Sequence, residues 1–160
     1  MRTDSRLSRV IHALLHMHDT QQPLTSEVLA KMLNTNSSVI RRTMSGLRDK
    51  GYVMSSKGHH GGWVLTKPLE DITLLELYEA LGMPRLFAIS SESDNSTCLV
   101  QQIADESLNN ALEISRHVFI AQLEKVTLAE LNKQFKYRLQ SLDNGRVEKQ
   151  GTCKRAEECK

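Results

Sequence analysis

A chain of 160 residues can bury a hydrophobic core without disulfide support, and its sequence contains no run of the roughly 20 apolar residues that a membrane span requires. Its N-terminus lacks the layout of a secretory signal, which predicts a cytoplasmic protein. The net charge of +2 conceals a division, because residues 1–68 hold ten Lys and Arg against four Asp and Glu, whereas residues 69–160 hold eleven against fifteen. A basic first half is typical of a module that neutralises phosphates.

The first third of the chain predicts three helices. Apolar residues recur at helical spacing over 5–18, and a short second helix follows Thr25, a residue type that favours helix N-caps. Three turn-forming residues, 34–36, then separate this helix from a third, which runs from Ser37 to a glycine C-cap at Gly51.

A small β-hairpin is predicted next. Residues 52–54 and 63–66 are rich in β-formers, and the segment between them contains three glycines that permit a tight turn. Thr73-Leu74-Leu75-Glu76 then fits a capping box that begins a fourth helix.

The longest periodic segment spans about residues 99–126, which as a helix would extend about 40 Å. A helix of this length cannot bury its apolar stripe against itself, so it either packs over its own domain or pairs with a second copy of the chain. We expect the pairing. A further capping box at Thr127 predicts a helix that ends at Phe135 or Tyr137.

These elements predict a mainly α protein, a winged helix-turn-helix with a small two-stranded β-wing and a long C-terminal dimerisation helix. The domain boundaries follow from the same pattern. Residues 1–68 form the DNA-binding domain, residues 69–137 form a helical dimerisation and sensor region, and residues 138–160 form a flexible polar tail.

The third helix carries the candidate DNA-reading surface. Its apolar residues Ile40, Met44 and Leu47 should point inward. The outward polar residues would then be Ser37, Ser38, Arg41, Arg42, Ser45 and Arg48. Arginines here can donate bidentate hydrogen bonds to guanine or bind phosphates, and serines at the helix N-terminus favour a phosphate. A solvated basic helix face is the alternative interpretation.

The tip of the wing adds Lys57, His59 and His60 to this surface. Lys57 can reach a phosphate, and a slim glycine-rich tip can lie along the minor groove. The alternative is a plain flexible hairpin.

Metal and redox chemistry have weaker signals. His12 and His16 have the i, i+4 spacing of two ligands on one helix face, but no third ligand is evident, and no metal site or cofactor is predicted. Cys153 and Cys159 lie in the polar tail without a histidine nearby. Cys98 precedes the long helix, whose N-terminus stabilises a thiolate, so it is a candidate sensor; a buried, inert thiol is the alternative.

The stretch TSEVLAKMLNTNSSVIRRTMSGLRDKGYVMSSKGHHGGWVLTKPLEDITLLELYEALG resembles the Rrf2-type regulators, the winged-helix group that includes IscR, NsrR and CymR. The most specific marks are LRDKG at 47–51 and KGHHGGW at 57–63, and the resemblance covers about residues 1–137. The segments RLSRVIHALLHM and MPRLFAI are most similar to the cluster-free, YwnA-like branch.

This resemblance implies a homodimer that is crossed through its long helix, with recognition helices in successive major grooves of double-stranded DNA and wings in the flanking minor groove. Several relatives hold an iron–sulfur cluster on three closely spaced cysteines before the long helix. Only Cys98 lies in that region here, so no cluster is expected and thiol oxidation stays open as a signal.

We therefore expect a sequence-specific transcription regulator, a repressor, that binds a palindromic operator as a homodimer and responds to redox change through Cys98. A small-molecule or protein effector is an unknown. The alternative is a protein-interaction module that kept the fold and lost DNA binding. An enzyme is not expected, because the sequence has no nucleophile elbow, nucleotide-binding glycine pattern or His-Glu metal helix.

Overall fold

The computed structural model describes residues 4–20, 22–56, 58, 61–87 and 98–143. These residues form a mainly helical structure with one antiparallel two-stranded sheet, which confirms the predicted winged helix-turn-helix. In chain order the elements are α1 Arg6–Thr20, α2 Ser26–Met32, α3 Ser37–Asp49, β1 Val53–Ser56, β2 Gly62–Leu65, a 3-10 helix Leu69–Asp71, α4 Leu74–Ala80, α5 Leu99–Lys125 and α6 Leu128–Asp143.

The helices begin where short polar side chains satisfy their first backbone N–H groups. Thr25 caps α2 as predicted, and Asn36 caps α3 by accepting a hydrogen bond of 2.8 Å from the N–H of Ser38. Thr73 and Glu76 form the predicted capping box at the start of α4. These local contacts fix the starts of α2, α3 and α4.

The hydrophobic core lies where α1, α2 and α3 meet the 3-10 helix, α4 and the start of α6. Its most completely buried side chains include Leu14, Leu29, Met44, Leu47, Leu77 and Leu128. Because Ile40, Met44 and Leu47 are all buried, the opposite side of α3 is turned to solvent.

The wing is fixed to the start of α2. Leu24 and Trp63 exchange two backbone hydrogen bonds, of 3.1 and 2.9 Å, so the segment before α2 pairs with β2. The buried indole N–H of Trp63 also donates to Ser26 Oγ at 3.0 Å. The position of the hairpin relative to the helix-turn-helix is therefore set by both main-chain and side-chain contacts.

Gly62 stands where a side chain does not fit. A Cβ at this position would lie 2.8 Å from the backbone carbon and oxygen of Leu24. Gly62→Ala is therefore expected to separate β2 from Leu24 and to lower the free energy of unfolding by about 1–3 kcal/mol. Urea denaturation measures this change.

Gly46→Ala is the matched control, because a Cβ there meets nothing and an alanine inside α3 should stabilise the protein by up to about 1 kcal/mol. Equal effects of the two substitutions would contradict the packing explanation.

α5 has 27 residues, close to the predicted 99–126, and none of them is buried. Its C-terminal part packs on α4, where the rings of Phe119 and Tyr78 meet edge to face with centroids 5.6 Å apart. Large apolar residues on another side of the helix are exposed to solvent: Leu99, Val100, Ile103, Ile114 and Val118.

The end of α6 corrects one prediction. The helix does not end at Phe135 or Tyr137 but continues to Asp143, so the first six residues of the segment 138–160, predicted as a flexible tail, are helical. The reason is that Leu139 and Leu142 continue the spacing of Phe135, and both are partly buried. Residues 144–160, with Cys153 and Cys159, lie outside the described residues. None of the described helices is long and apolar enough to cross a membrane.

Candidate nucleic-acid interface

The outward side of α3 presents a row of polar residues. Ser38, Arg42, Ser45 and Asp49 follow one another at i, i+4, i+7 and i+11, which places them on one side of the helix, opposite the core. Arg42 is exposed, and no hydrogen bond or ion pair joins its side chain to another described residue. The guanidinium at the centre of this row therefore has its five donors available to a ligand.

Arg41 lies beside this row, on the flank of α3 that faces α2. Its Nη2 forms an ion pair with Oε1 of Glu27, in the first turn of α2. Both side chains are well exposed, at 59% and 60%, so the pair lies at the surface of the helix-turn-helix. Arg41 was predicted from the sequence as an interface residue, but Glu27 was not predicted as its partner.

Arg48 is restrained by neighbours on its own helix. Its Nη2 lies 3.0 Å from Ser45 Oγ and 3.0 Å from Asp49 Oδ1. Asp49 was not among the predicted interface residues, although its carboxylate lies in the same row as Arg42. The structure thus brings the three predicted arginines onto one surface but leaves them in different electrostatic environments.

The serines at the start of α3 are less available than the sequence suggested. The backbone N–H of Ser38 donates to Asn36 Oδ1, so this amide is already satisfied by the cap. The N–H groups of Val39 and Ile40 donate to the carbonyl of Asn36. A phosphate at this end would therefore have to use the amide of Ser37 and the hydroxyls of Ser37 and Ser38.

The wing residues Lys57, His59 and His60 lie outside the described residues, so their place in the interface stays a prediction. The described parts of the hairpin show where it turns. Ser56 pairs with Gly62, and the N–H of Gly61 donates to the carbonyl of Gly58 at 2.9 Å. Gly58 has φ of 111°, a backbone conformation that favours glycine.

The histidines of α1 interact with each other. Nε2 of His12 and Nε2 of His16 are 2.8 Å apart, a hydrogen bond that requires one ring to donate and the other to accept. Burial lowers the pKa of both imidazoles, and the charge of His12 lowers the pKa of His16 further. Among the described residues, no group of three or more His, Cys, Asp or Glu is placed to hold a metal ion.

This pair predicts a loss of stability in weak acid. The unfolded imidazoles bind protons below about pH 6.5, whereas the folded ones resist protonation until a lower pH. Stability should therefore fall as pH decreases through about 6.5 and level off once the folded rings titrate. Denaturation midpoints measured from about pH 7.5 to 5 test this. His12→Gln should flatten the dependence, and an unchanged slope in that variant would assign the effect to other groups.

Cys98 is exposed and occupies the N-cap position of α5, so the thiol is not buried as the alternative interpretation expected. Its reactivity stays a prediction. Its side chain does not form the capping hydrogen bond of that helix. The thiol stands directly before Leu99 and Val100, the first exposed apolar residues of α5.

A helix-turn-helix with an anchored wing and a basic outward face on its second helix defines a DNA-binding transcription regulator of the winged-helix class. The profile of the Rrf2 family, described as "Iron-dependent Transcriptional regulator", matches residues 3–134. The chain belongs to this family, whose members are transcription regulators and not enzymes.

Individual relatives agree with this assignment. The chain is 31% identical over 129 residues to the HTH-type transcriptional regulator YwnA of Bacillus subtilis, covering 80% of this chain and 95% of the relative. A transcriptional regulator from Lactobacillus plantarum has a similar fold, with a TM-score of 0.72 and 23% identity over 89% of this chain and 97% of the other. CymR, the global cysteine regulator of Bacillus subtilis, superposes with a TM-score of 0.56 and 18% identity over 84% and 98% of the two chains.

The iron dependence in the family description requires side chains that can hold iron. An iron–sulfur cluster is held by several thiolates, supplemented in some proteins by histidines. The described residues contribute one cysteine, Cys98, and His12 and His16 lie on a different helix without a third ligand beside them. This donor set does not fit a cluster.

Proposed function

We propose that the protein is a homodimeric repressor that binds a palindromic operator through α3 and its wing, acting on DNA in the cytoplasm. The observation that carries the proposal is the solvent-exposed side of α3, where Arg42 lies opposite the buried residues of the helix and Arg41 and Arg48 lie beside it. A repressor of this kind acts by occupying DNA that the transcription machinery needs.

The exposed side of α5 supports the homodimer. Ile103, Ile114 and Val118 lie at i, i+11 and i+15, close to one line along the helix, and each is more than half exposed. Large apolar residues that are aligned along an exposed side of a helix mark an interaction surface. Pairing two copies through it buries the stripe and gives the two-fold symmetry that a palindrome requires, with half-sites about 34 Å apart.

The interface residues are assigned roles by their position. Arg42 and Arg41 read base edges, and Arg48, Ser37, Ser38 and Ser45 orient the helix on phosphates. Lys57, His59 and His60 extend the contact into the flanking groove from the wing tip. The domain division follows the same assignment, with residues 1–68 binding DNA and residues 69–137 forming the dimer.

Cys98 is the proposed site of a redox signal, since it is exposed and directly precedes the exposed apolar residues Leu99 and Val100 of α5. Attack of its thiolate on hydrogen peroxide gives a sulfenic acid and hydroxide, which places a larger, polar group at the start of α5. Mild peroxide should then weaken DNA binding severalfold in the wild type and leave Cys98→Ser unchanged. Equal release of DNA by both proteins would exclude Cys98 as the sensor.

The experiment that tests the proposed function is selection of bound fragments from genomic DNA by the purified, reduced protein. Enrichment of a palindrome supports a sequence-specific dimeric regulator, and repetition after peroxide treatment tests the redox signal separately. Affinity for the selected duplex should fall steeply as salt rises, because phosphate contacts release counterions. Absence of any enriched sequence would contradict the proposal and favour a module that interacts with proteins.

A further inference from the structure

The ion pair between Arg41 and Glu27 links the two helices of the helix-turn-helix at the surface where the proposed function places DNA. The partners are 14 residues apart in sequence, and both side chains are more than half exposed. Ion pairs this exposed contribute little to stability in water. The effect of the pair is instead to hold the guanidinium of Arg41 beside the start of α2.

Glu27 is a charged anchor for this contact. It lies in the first turn of α2, where the helix dipole favours a carboxylate. The hydrogen bond from Arg41 lowers the pKa of Glu27 most, and a backbone N–H and the Thr25 side chain also lower it. The carboxylate is thus ionised at neutral pH, and it accepts hydrogen bonds from groups at the start of α2 as well as from Arg41.

The neighbouring Arg42 is not held by a carboxylate of a described residue. Its side chain is exposed and has no ion pair with a described residue, so its guanidinium is free to follow either a base or a phosphate. Arg41 has one of its five donors engaged by Glu27, which leaves the others in a restricted orientation. A carboxylate at this place also repels phosphates, so it disfavours a conformation in which Arg41 contacts the DNA backbone.

We propose that Glu27 is a specificity-determining residue that positions Arg41 to read a base edge. This inference rests on the proposed function, because it requires that α3 binds DNA. Glu27 acts through Arg41 and makes no base contact of its own.

The test compares discrimination between the selected operator duplex and the same duplex with single base pairs changed, for wild type, Glu27→Gln and Glu27→Asp. Aspartate keeps the charge but is one methylene too short for the contact. If Glu27 positions Arg41, both variants should discriminate about tenfold less between base pairs at one position in each half-site. Neither variant should lose affinity for unrelated DNA.

A purely electrostatic role gives a different pattern. Glu27→Gln would then tighten operator and unrelated DNA by the same factor, Glu27→Asp would behave like wild type, and the proposal would be overturned. Arg41→Ala should lose the same base-pair preference, and adding Glu27→Gln to it should not change that preference further. Glu70→Gln, which removes an exposed charge outside the helix-turn-helix, is the control for net charge. Unchanged thermal melting verifies that each variant is folded.

Failure of this inference and failure of the proposed function can be told apart. A wild type that discriminates between duplexes, together with Glu27 variants that discriminate equally well, overturns the role of Glu27 alone. A wild type with no sequence preference overturns both proposals.

Discussion

Ile114→Glu is expected to convert the dimer into a monomer and to weaken operator binding by about 10²–10⁴-fold. Ile114 lies in the exposed stripe of α5 between Ile103 and Val118, and its side chain is 56% exposed in the single chain. Pairing of two copies would bury it, and a buried carboxylate without a partner would oppose association strongly. Sedimentation equilibrium measures the change in mass, and titration of an operator duplex measures the change in affinity.

The large effect on DNA follows from linkage of two half-sites. In the dimer the second α3 binds its half-site as an intramolecular event, at an effective concentration in the millimolar range. A monomer has only the affinity of one helix and one wing. Monomeric Ile114→Glu should therefore bind a duplex with a single half-site about as tightly as one subunit of the wild-type dimer does.

Asn109→Glu provides the matched control. It adds the same charge to α5 at a position six residues from Ile103, which turns it to another side of the helix at about 100° per residue. The position is already exposed. This variant should remain dimeric and bind the operator normally. Monomers formed by both variants would indicate unfolding of α5, whereas a dimer retained by Ile114→Glu would show that another surface joins the copies.

Much of the fold could be predicted from the sequence because its signals are local. Apolar spacing defined α1, α3 and α5, and Thr25 and Thr73 marked helix starts that the structure reproduces. The end of α6 was missed because residues 138–143 are largely polar, so the two leucines that continue its apolar side were read as part of a tail.

The site was predictable only in part, for a geometrical reason. The spacing of the buried residues of α3 determines which of its other residues face outward. The partner of Arg41 depends on how α2 crosses α3, and the anchor of the wing depends on Ser26 meeting Trp63 from 37 residues away. Contacts between elements of this kind have no local pattern in a single sequence.

Arg42→Ala is expected to lower operator affinity by about 1–3 kcal/mol, roughly 5- to 150-fold, and to relax the preference at one base pair. Arg42 is at the centre of the outward row of α3, and no described residue holds its guanidinium. Arg42→Lys should recover phosphate attraction without the bidentate fork. Competition binding with base-pair variants of the operator separates affinity from preference.

Lys50→Ala controls for the loss of a positive charge near the same surface. Lys50 is exposed at the C-cap of α3, at the opposite end from the residues proposed to enter the groove. It should weaken operator and unrelated DNA alike and reduce the salt dependence slightly. If Arg42→Ala showed that same uniform loss, Arg42 would be a phosphate contact and base reading would have to reside in Arg41. Arg42→Ala is compared directly with Lys50→Ala at each base pair of the operator. If the preference for one base pair is lost in Arg42→Ala and kept in Lys50→Ala, the side of α3 that carries Arg42 reads the sequence.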